Sequence, residues 1–170
     1  TRRSRQILLS ALVLAVLGTL TLPSASAMPL PVTERVVIGR SVQGREIVAY
    51  HRFTAGRVGT KPFLVLGQMH GNEETGKRVV AALRARVLPS NLDLWVIPTL
   101  NPDGDVRDTR GNARGVDLNR NFPESWTRQG AGTSYFSGPS AASEPETRAL
   151  RDFVLALEPW RTVSFHTPLY

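Results

Sequence analysis

Two histidines and a glutamate stand where a sheet would present them to a metal ion. His70 follows the wholly apolar run Phe63–Leu66 across a short polar turn, and Glu73 lies three residues on. His166 comes far along the chain, directly after a second short strand-like run, residues 162–165. Short apolar runs bounded by turn residues read as buried strands. In open α/β sheets, sites form outside the carboxyl ends of such strands. His70 and His166 could therefore share one crevice. Two imidazoles and one carboxylate suit a zinc ion, with a fourth position left open for water. Spacing alone leaves plainer readings open. Glu73 could be an acid favoured in the first turn of a helix, and His166 a hydrogen-bonded histidine at a strand end. His51, inside an alternating strand, reads as a surface or cross-strand residue, and Glu74 as first-turn charge.

The elements that would hold these residues follow from pattern. Residues 29–33 read as a linker. Residues 35–39 and 46–53 read as strands joined by the turn Ser41-Val42-Gln43-Gly44, hence a hairpin. Val79, Val80, Leu83 and Val87 recur at helical spacing, which predicts a helix over 73–87 with Asn72 as its N-cap. Residues 92–97 are the next strand. Strand, helix and strand make a crossover unit, so 63–66 and 92–97 should run parallel. Asn101-Pro102-Asp103-Gly104 is dense turn chemistry, and a long loop region runs on to Gly138. Ser143 and Glu146 fit a capping box opening a helix to Leu157. The expected fold class is α/β: a mainly parallel mixed sheet with helices on both faces.

Composition narrows the function. The chain of 170 residues can bury one domain core, and the absence of cysteine excludes disulfides and thiolate metal sites. The net charge is +7, but Arg2, Arg3 and Arg5 supply three of those charges. The other arginines are scattered without aromatic interleaving, which argues against nucleic-acid binding. An apolar stretch, residues 7–22, follows the first arginines; it is short for a membrane anchor, the alternative reading, and small residues follow it, with Ala25-Ser26-Ala27 before Met28. That is the pattern of a cleaved secretory signal over residues 1–27, which leaves no stable membrane anchor. The folded domain is expected over 28–170, and the protein in the secreted or cell-wall space.

Six segments, taken in order, resemble the zinc carboxypeptidase family. They are IGRSVQGREI (38–47), HGNEETG (70–76), NPDG (101–104), RGNARGVDLNRNFP (110–123), SGPSAASEPET (137–147) and SFHTPLY (164–170). The compact loop from NPDG to NRNFP, and HTPLY after the last strand, are most similar to bacterial murein-peptide-amidase-like members. The resemblance implies one Zn²⁺ ion held by His70, Glu73 and His166. It implies that Arg110 stabilises the oxyanion, with Arg107 and Arg114 as close neighbours of that position. It implies that Asn119 and Arg120 grip the substrate's terminal carboxylate. An arginine fork can hold a carboxylate by two parallel hydrogen bonds, which suits that task. The substrate class implied is a peptide with a free terminal carboxylate; the loop resemblance favours a muropeptide, with an ordinary carboxypeptidase as the close rival reading. Gly39, Gly44, Gly104 and Gly115 read as turn glycines. Trp95, Trp126 and Trp160 read as core or rim packing.

One catalytic element is not found. Peptide hydrolysis needs a general base, and in the family this glutamate lies well downstream of the third ligand, as do the capping tyrosine and the specificity pocket. Tyr170 is too near His166 for the capping role. The expectation is a domain whose C-terminal part is missing. Two rival readings remain. One is a non-catalytic module that binds zinc or peptidoglycan peptides without the base, and the other is a related amino-acid deacylase.

Overall fold

The structure, a computed structural model, describes residues 31–54, 61–87, 89 and 91–167. The signal-like segment, residues 1–27, lies outside the described residues. The described part of the expected domain begins at residue 31.

Strands β1 (Pro31–Arg40) and β2 (Glu46–Thr54) form an antiparallel hairpin with an irregularity between Val37 and Gly39. The first strand is longer than the sequence pattern suggests. It begins inside the expected linker, with Pro31 opposite Thr54. Strands β3 (Phe63–Leu66), β4 (Leu94–Ile97) and β5 (Arg161–Ser164) complete a sheet of order β1-β2-β4-β3-β5. β3 runs parallel to both β4 and β5, while β2 meets β4 antiparallel. The sheet is therefore mixed, and the parallel strands β3 and β5 lead to His70 and His166.

β3 is apolar throughout because both of its faces are covered. Leu64 and Leu66 point into one core with Ile47, Ala49, Ile97 and Leu150. Val65 points into the other with Val80, Leu94 and Val96. Leu150 belongs to helix α3 (Pro145–Leu157) and Val80 to helix α1 (Thr75–Ala85), so each face of the sheet carries a helix. Leu64 and Leu66 are buried to 0% and 2% exposure. Burial on this scale stabilises the fold by about 1.5–3 kcal/mol per side chain.

Local chemistry departs from the sequence pattern at three helix starts. α1 is shorter than 73–87, and Asn72 does not cap it; the residue before it is Glu74, which makes no side-chain cap. The Glu73 amide donates to the His70 carbonyl at 3.0 Å, which holds Glu73 in a turn before the helix. NPDG is more than a turn: it opens a helix, α2 (Pro102–Arg107). Asn101 caps it by accepting from the Gly104 amide at 2.8 Å, and Pro102 fits the first helical turn. The capping box at Ser143 and Glu146 does not form. The Glu146 carboxylate instead takes the Val42 amide and the Asn112 side chain, while Ser143 donates to Glu144.

Glycine is required where α1 meets the end of β3. A Cβ on Gly76 would lie 1.7 Å from the Gly67 carbonyl oxygen. That close approach brings the turn from Gln68 to Glu73 down onto the strand end.

Candidate metal centre

β3 delivers His70 through a turn that the Gln68 side chain closes, donating to the Gly71 carbonyl at 2.9 Å. β5, beside it and parallel, delivers His166 two residues past its last strand position. The two imidazoles thus come from adjacent strand ends, and Glu73 comes from the turn between β3 and α1. The Nδ1 atom of His70 lies 2.9 Å from Glu73 Oε1. The Nδ1 atom of His166 lies 3.1 Å from Glu73 Oε2 and 3.3 Å from His70 Nδ1. One ligand atom from each residue falls within 4.8 Å of the other two.

The donor set fits zinc. Ligands about 2.0–2.1 Å from a tetrahedral ion lie about 3.3 Å from one another. Proton accounting agrees. His70 Nε2 faces the Asp117 carboxylate at 2.9 Å. That bond places the imidazole proton on Nε2, so Nδ1 offers a lone pair to the shared point. A carboxylate and a second imidazole nitrogen face the same point, and a cation between them resolves the crowding of lone pairs. Glu73 is held in place from behind, its Oε2 accepting from the Thr167 amide at 3.1 Å.

Asp117 is the residue that reasoning from spacing missed. Besides His70, it takes two bonds from Arg110, from Nε at 3.0 Å and from a terminal nitrogen at 2.9 Å. Arg120 Nε lies 3.4 Å from the same oxygen, and the Asn119 amide donates to the other oxygen at 3.0 Å. Burial pushes the Asp117 carboxyl up, but His70 and Arg110 outweigh it and hold the group below the usual carboxylate range. The available signal was an aspartate flanked by Val116 and Leu118, both buried, in the segment GVDLNRN.

The structure brings Arg110 to the candidate metal ligands, with a terminal nitrogen 3.4 Å from Glu73 Oε1. Arg107 and Arg114 point elsewhere. Arg107 donates to the carbonyls of Asp103 and Asn112, and Arg114 reaches Glu144. Asn119 and Arg120 lie on a single 3-10 turn, Leu118–Arg120, capped by Asp117. Asn119 is exposed and the Arg120 side chain is 37% exposed. A cleft of about 470 Å³ borders Arg110, with Asn72, Gly111, Thr133 and Ser134 among its walls. A smaller one of about 170 Å³ borders Asn119 and Arg120.

Other expected roles sort plainly. His51 is the cross-strand residue expected, stacked on Phe53 and Trp95, with Nε2 2.8 Å from Asp93. Trp95 packs edge-on against Phe153, and Trp126 donates to the Ser137 carbonyl. Gly44 and Gly115 take positive φ, as turn glycines do; Gly39 lies in β1 and Gly104 in α2.

Comparison with known proteins agrees with this geometry. Residues 27–167 match the zinc carboxypeptidase family, described as Peptidase_M14. Murein peptide amidase A of Escherichia coli K12 is 34% identical over 166 residues, covering 89% of this chain and 66% of that protein. The crystal structure of murein-tripeptide amidase MpaA from Escherichia coli O157 superposes with a TM-score of 0.63 at 33% identity, covering 81% of this chain and 62% of that one. Carboxypeptidase A from Helicoverpa armigera gives 0.67 at 27% identity, covering 81% of this chain and 41% of that one. The chain thus spans just under two thirds of the length of the murein peptide amidase it matches. With two strand-end histidines and a turn glutamate converging as zinc ligands would, and a family match that spans all of the described residues, the chain belongs to the zinc carboxypeptidase family.

Proposed function

We propose that this chain carries the metal and substrate-carboxylate sites of a zinc metallopeptidase that cleaves the peptide or amide bond next to a carboxylate-bearing terminal residue. The carrying observation is the convergence of His70, Glu73 and His166 within reach of Arg110. His70 and His166 through Nδ1, and Glu73 through its carboxylate, would hold one Zn²⁺. Zinc bound there supplies Lewis acidity, polarising a carbonyl and making water acidic enough to act near neutral pH.

The chain's own residues divide the remaining work. Arg110, fixed by two bonds to Asp117, has its third nitrogen at the ligand cluster and would stabilise the negative charge that develops on the substrate oxygen. A preorganised donor of this kind is worth about 3–4 kcal/mol of barrier. Asn119 and the exposed face of Arg120 would hold the substrate's terminal carboxylate and so set the distance from that end to the cleaved bond. Asp117 orients His70, Arg110 and the turn bearing Asn119 and Arg120 at once. No described residue is assigned as general base.

Within this reading, the substrate is a cell-wall muropeptide and the site of action lies outside the cytoplasm. The similarity to murein peptide amidases supports the first and the signal-like segment 1–27 supports the second. No helix among the described residues is long and apolar enough to cross a membrane. Incubating a zinc-loaded full-length form, in which a general base completes the site, with muropeptides and with ordinary peptides, each with a free or an amidated terminus, tests the reading. Hydrolysis confined to free-carboxylate muropeptides supports it. Indifference to the carboxylate overturns it. N-terminal sequencing of the exported protein tests the signal, with cleavage expected before Met28.

A further inference from the structure

Arg110 and Arg120 bring two positive charges to the same oxygen of one carboxylate, Asp117, which is also bonded to His70. Arg110 also reaches Glu73, and an aromatic ring faces both guanidiniums. The Tyr135 ring centroid lies 5.0 Å from the Arg110 guanidinium carbon and 5.3 Å from that of Arg120. Both distances fall within cation–π range. Tyr135 is nonetheless 41% exposed, and its hydroxyl makes no hydrogen bond among the described residues.

The loop that carries the ring is built to hold it there. Gly130 takes φ +68, and a Cβ on it would lie 2.4 Å from the Tyr135 carbonyl oxygen. Thr133 Oγ1 donates to the Gly130 carbonyl and accepts from the Tyr135 amide, at 2.8 and 3.1 Å. Ser137 closes the loop base, its amide donating to the Gln129 carbonyl and its hydroxyl accepting from the Gln129 amide. The Phe136 carbonyl then accepts from the Asp117 amide at 2.8 Å. The residue after Tyr135 is thus latched to the very aspartate that holds both arginines.

We propose that Tyr135 is a positioning residue for substrate carboxylate binding: its ring, set between the two guanidiniums, holds that of Arg120 beside Arg110 and facing the terminal carboxylate. The inference rests on the proposed role of Arg120 and adds the element that fixes it. It assigns the work to the ring's face and none to the hydroxyl. Removing the ring leaves Arg120 with its single 3.4 Å contact to Asp117, free to swing into solvent.

The test uses a non-hydrolysable peptide isostere ending in a free carboxylate, and its terminal amide, titrated calorimetrically into the zinc-loaded protein. Tyr135→Leu should weaken carboxylate binding by about 5–30-fold, the scale of one or two cation–π contacts, and leave amide binding unchanged. Tyr135→Phe should stay within about twofold of wild type, since the ring remains. Zinc stoichiometry and the unfolding midpoint should hold in both variants. Full carboxylate affinity in Tyr135→Leu would overturn the inference, as would an equal loss for carboxylate and amide, or a loss in Tyr135→Phe as large as in Tyr135→Leu. A wild-type protein that binds carboxylate and amide equally would instead overturn the role of Arg120, and the inference with it.

Discussion

Two pairs of buried carboxylates bracket the segment from Arg110 to Asp117, and they are satisfied in opposite ways. At one end, Glu144 and Glu146 are both fully buried. Their oxygens are filled by hydrogen bonds: Asn112 donates to both, the Val42 amide to Glu146, and the Ser143 hydroxyl to Glu144. Arg114, 3.5 Å from Glu144, adds charge from the exposed side. At the other end, Glu73 and Asp117 are held by imidazoles and guanidiniums, and their partners' lone pairs converge on one point with too few protons between them. Both ends pair acids in a dry environment, yet only one is a place for a cation. Burial of carboxylates is thus a poor sign of a metal site. Convergence of lone pairs is the informative one, and the saturated pair serves to fasten the loop.

The contrast can be broken most forcefully at the metal end. His70→Ala should weaken zinc binding by more than about 100-fold and abolish hydrolysis with it, because a three-ligand site rarely survives the loss of one. Equilibrium dialysis against zinc checks this, and stoichiometric zinc in the variant would remove His70 from the ligand set. Asp117→Asn should cost about 10–100-fold in zinc affinity, the usual cost of losing a group that fixes a ligand histidine. Competition with a chromophoric chelator measures it; an unchanged affinity would reduce Asp117 to a loop cap.

A third change probes a buried acid away from both ends. Asp103, fully buried, ties down the β1–β2 turn through Ser41, the Gln43 amide and Arg45. Asp103→Asn should cost about 2–3 kcal/mol of stability in denaturant unfolding and leave zinc affinity alone. Burial pushes the Asp103 carboxyl up, but the bonds from Gln43, Arg45 and Ser41 prevail and hold it below its ordinary value near 3.8. A lowered pKa means that this stabilisation is complete above the ordinary value and lost as pH falls below it. The variant should therefore lose part of the wild type's acid sensitivity.

The smallest effect belongs to the saturated pair. Burial, more than any neighbour, pushes the Glu146 carboxyl above its ordinary value near 4.5, and Glu144 adds to it. For a raised carboxyl the folded state keeps its proton longer than the unfolded chain. The contribution is complete below the ordinary value and declines as pH rises through the folded one. Glu146→Gln, whose NH2 group would face the Val42 or the Asn112 donor, should cost about 1–2 kcal/mol of stability at neutral pH and flatten that decline. Thermal unfolding followed upward from about pH 4 would show it. An undiminished decline in the variant would mean that Glu146 is not the group that titrates.

Much of this was legible in the residues, and the rest failed for physical reasons. β3, the parallel pairing of β3 with β4 and the helices on both faces followed from apolar period and crossover logic. The three candidate ligands were legible because strand ends concentrate them in one crevice. Helix starts were misread wherever a side chain had a better partner in space than in sequence: Glu146 looked like a cap and instead bonds Val42 and Asn112. Asp117 was hidden because an acid between two apolar residues has no period or motif of its own. Its role appears only when His70, Arg110 and Arg120 are seen to meet on it. Tyr135 was hidden likewise, since the bonds that place its loop, among them that from the Asp117 amide to the Phe136 carbonyl, follow no pattern in the sequence.

The most direct test of the central claim is a crystal of the zinc-loaded protein measured at the zinc absorption edge. The account predicts one anomalous peak per chain, about 2.0–2.2 Å from His70 Nδ1, His166 Nδ1 and a Glu73 oxygen, with Asp117 bonded to His70 Nε2 and not to the metal. A peak that includes Asp117 as a ligand, or that lies away from these three residues, would contradict it.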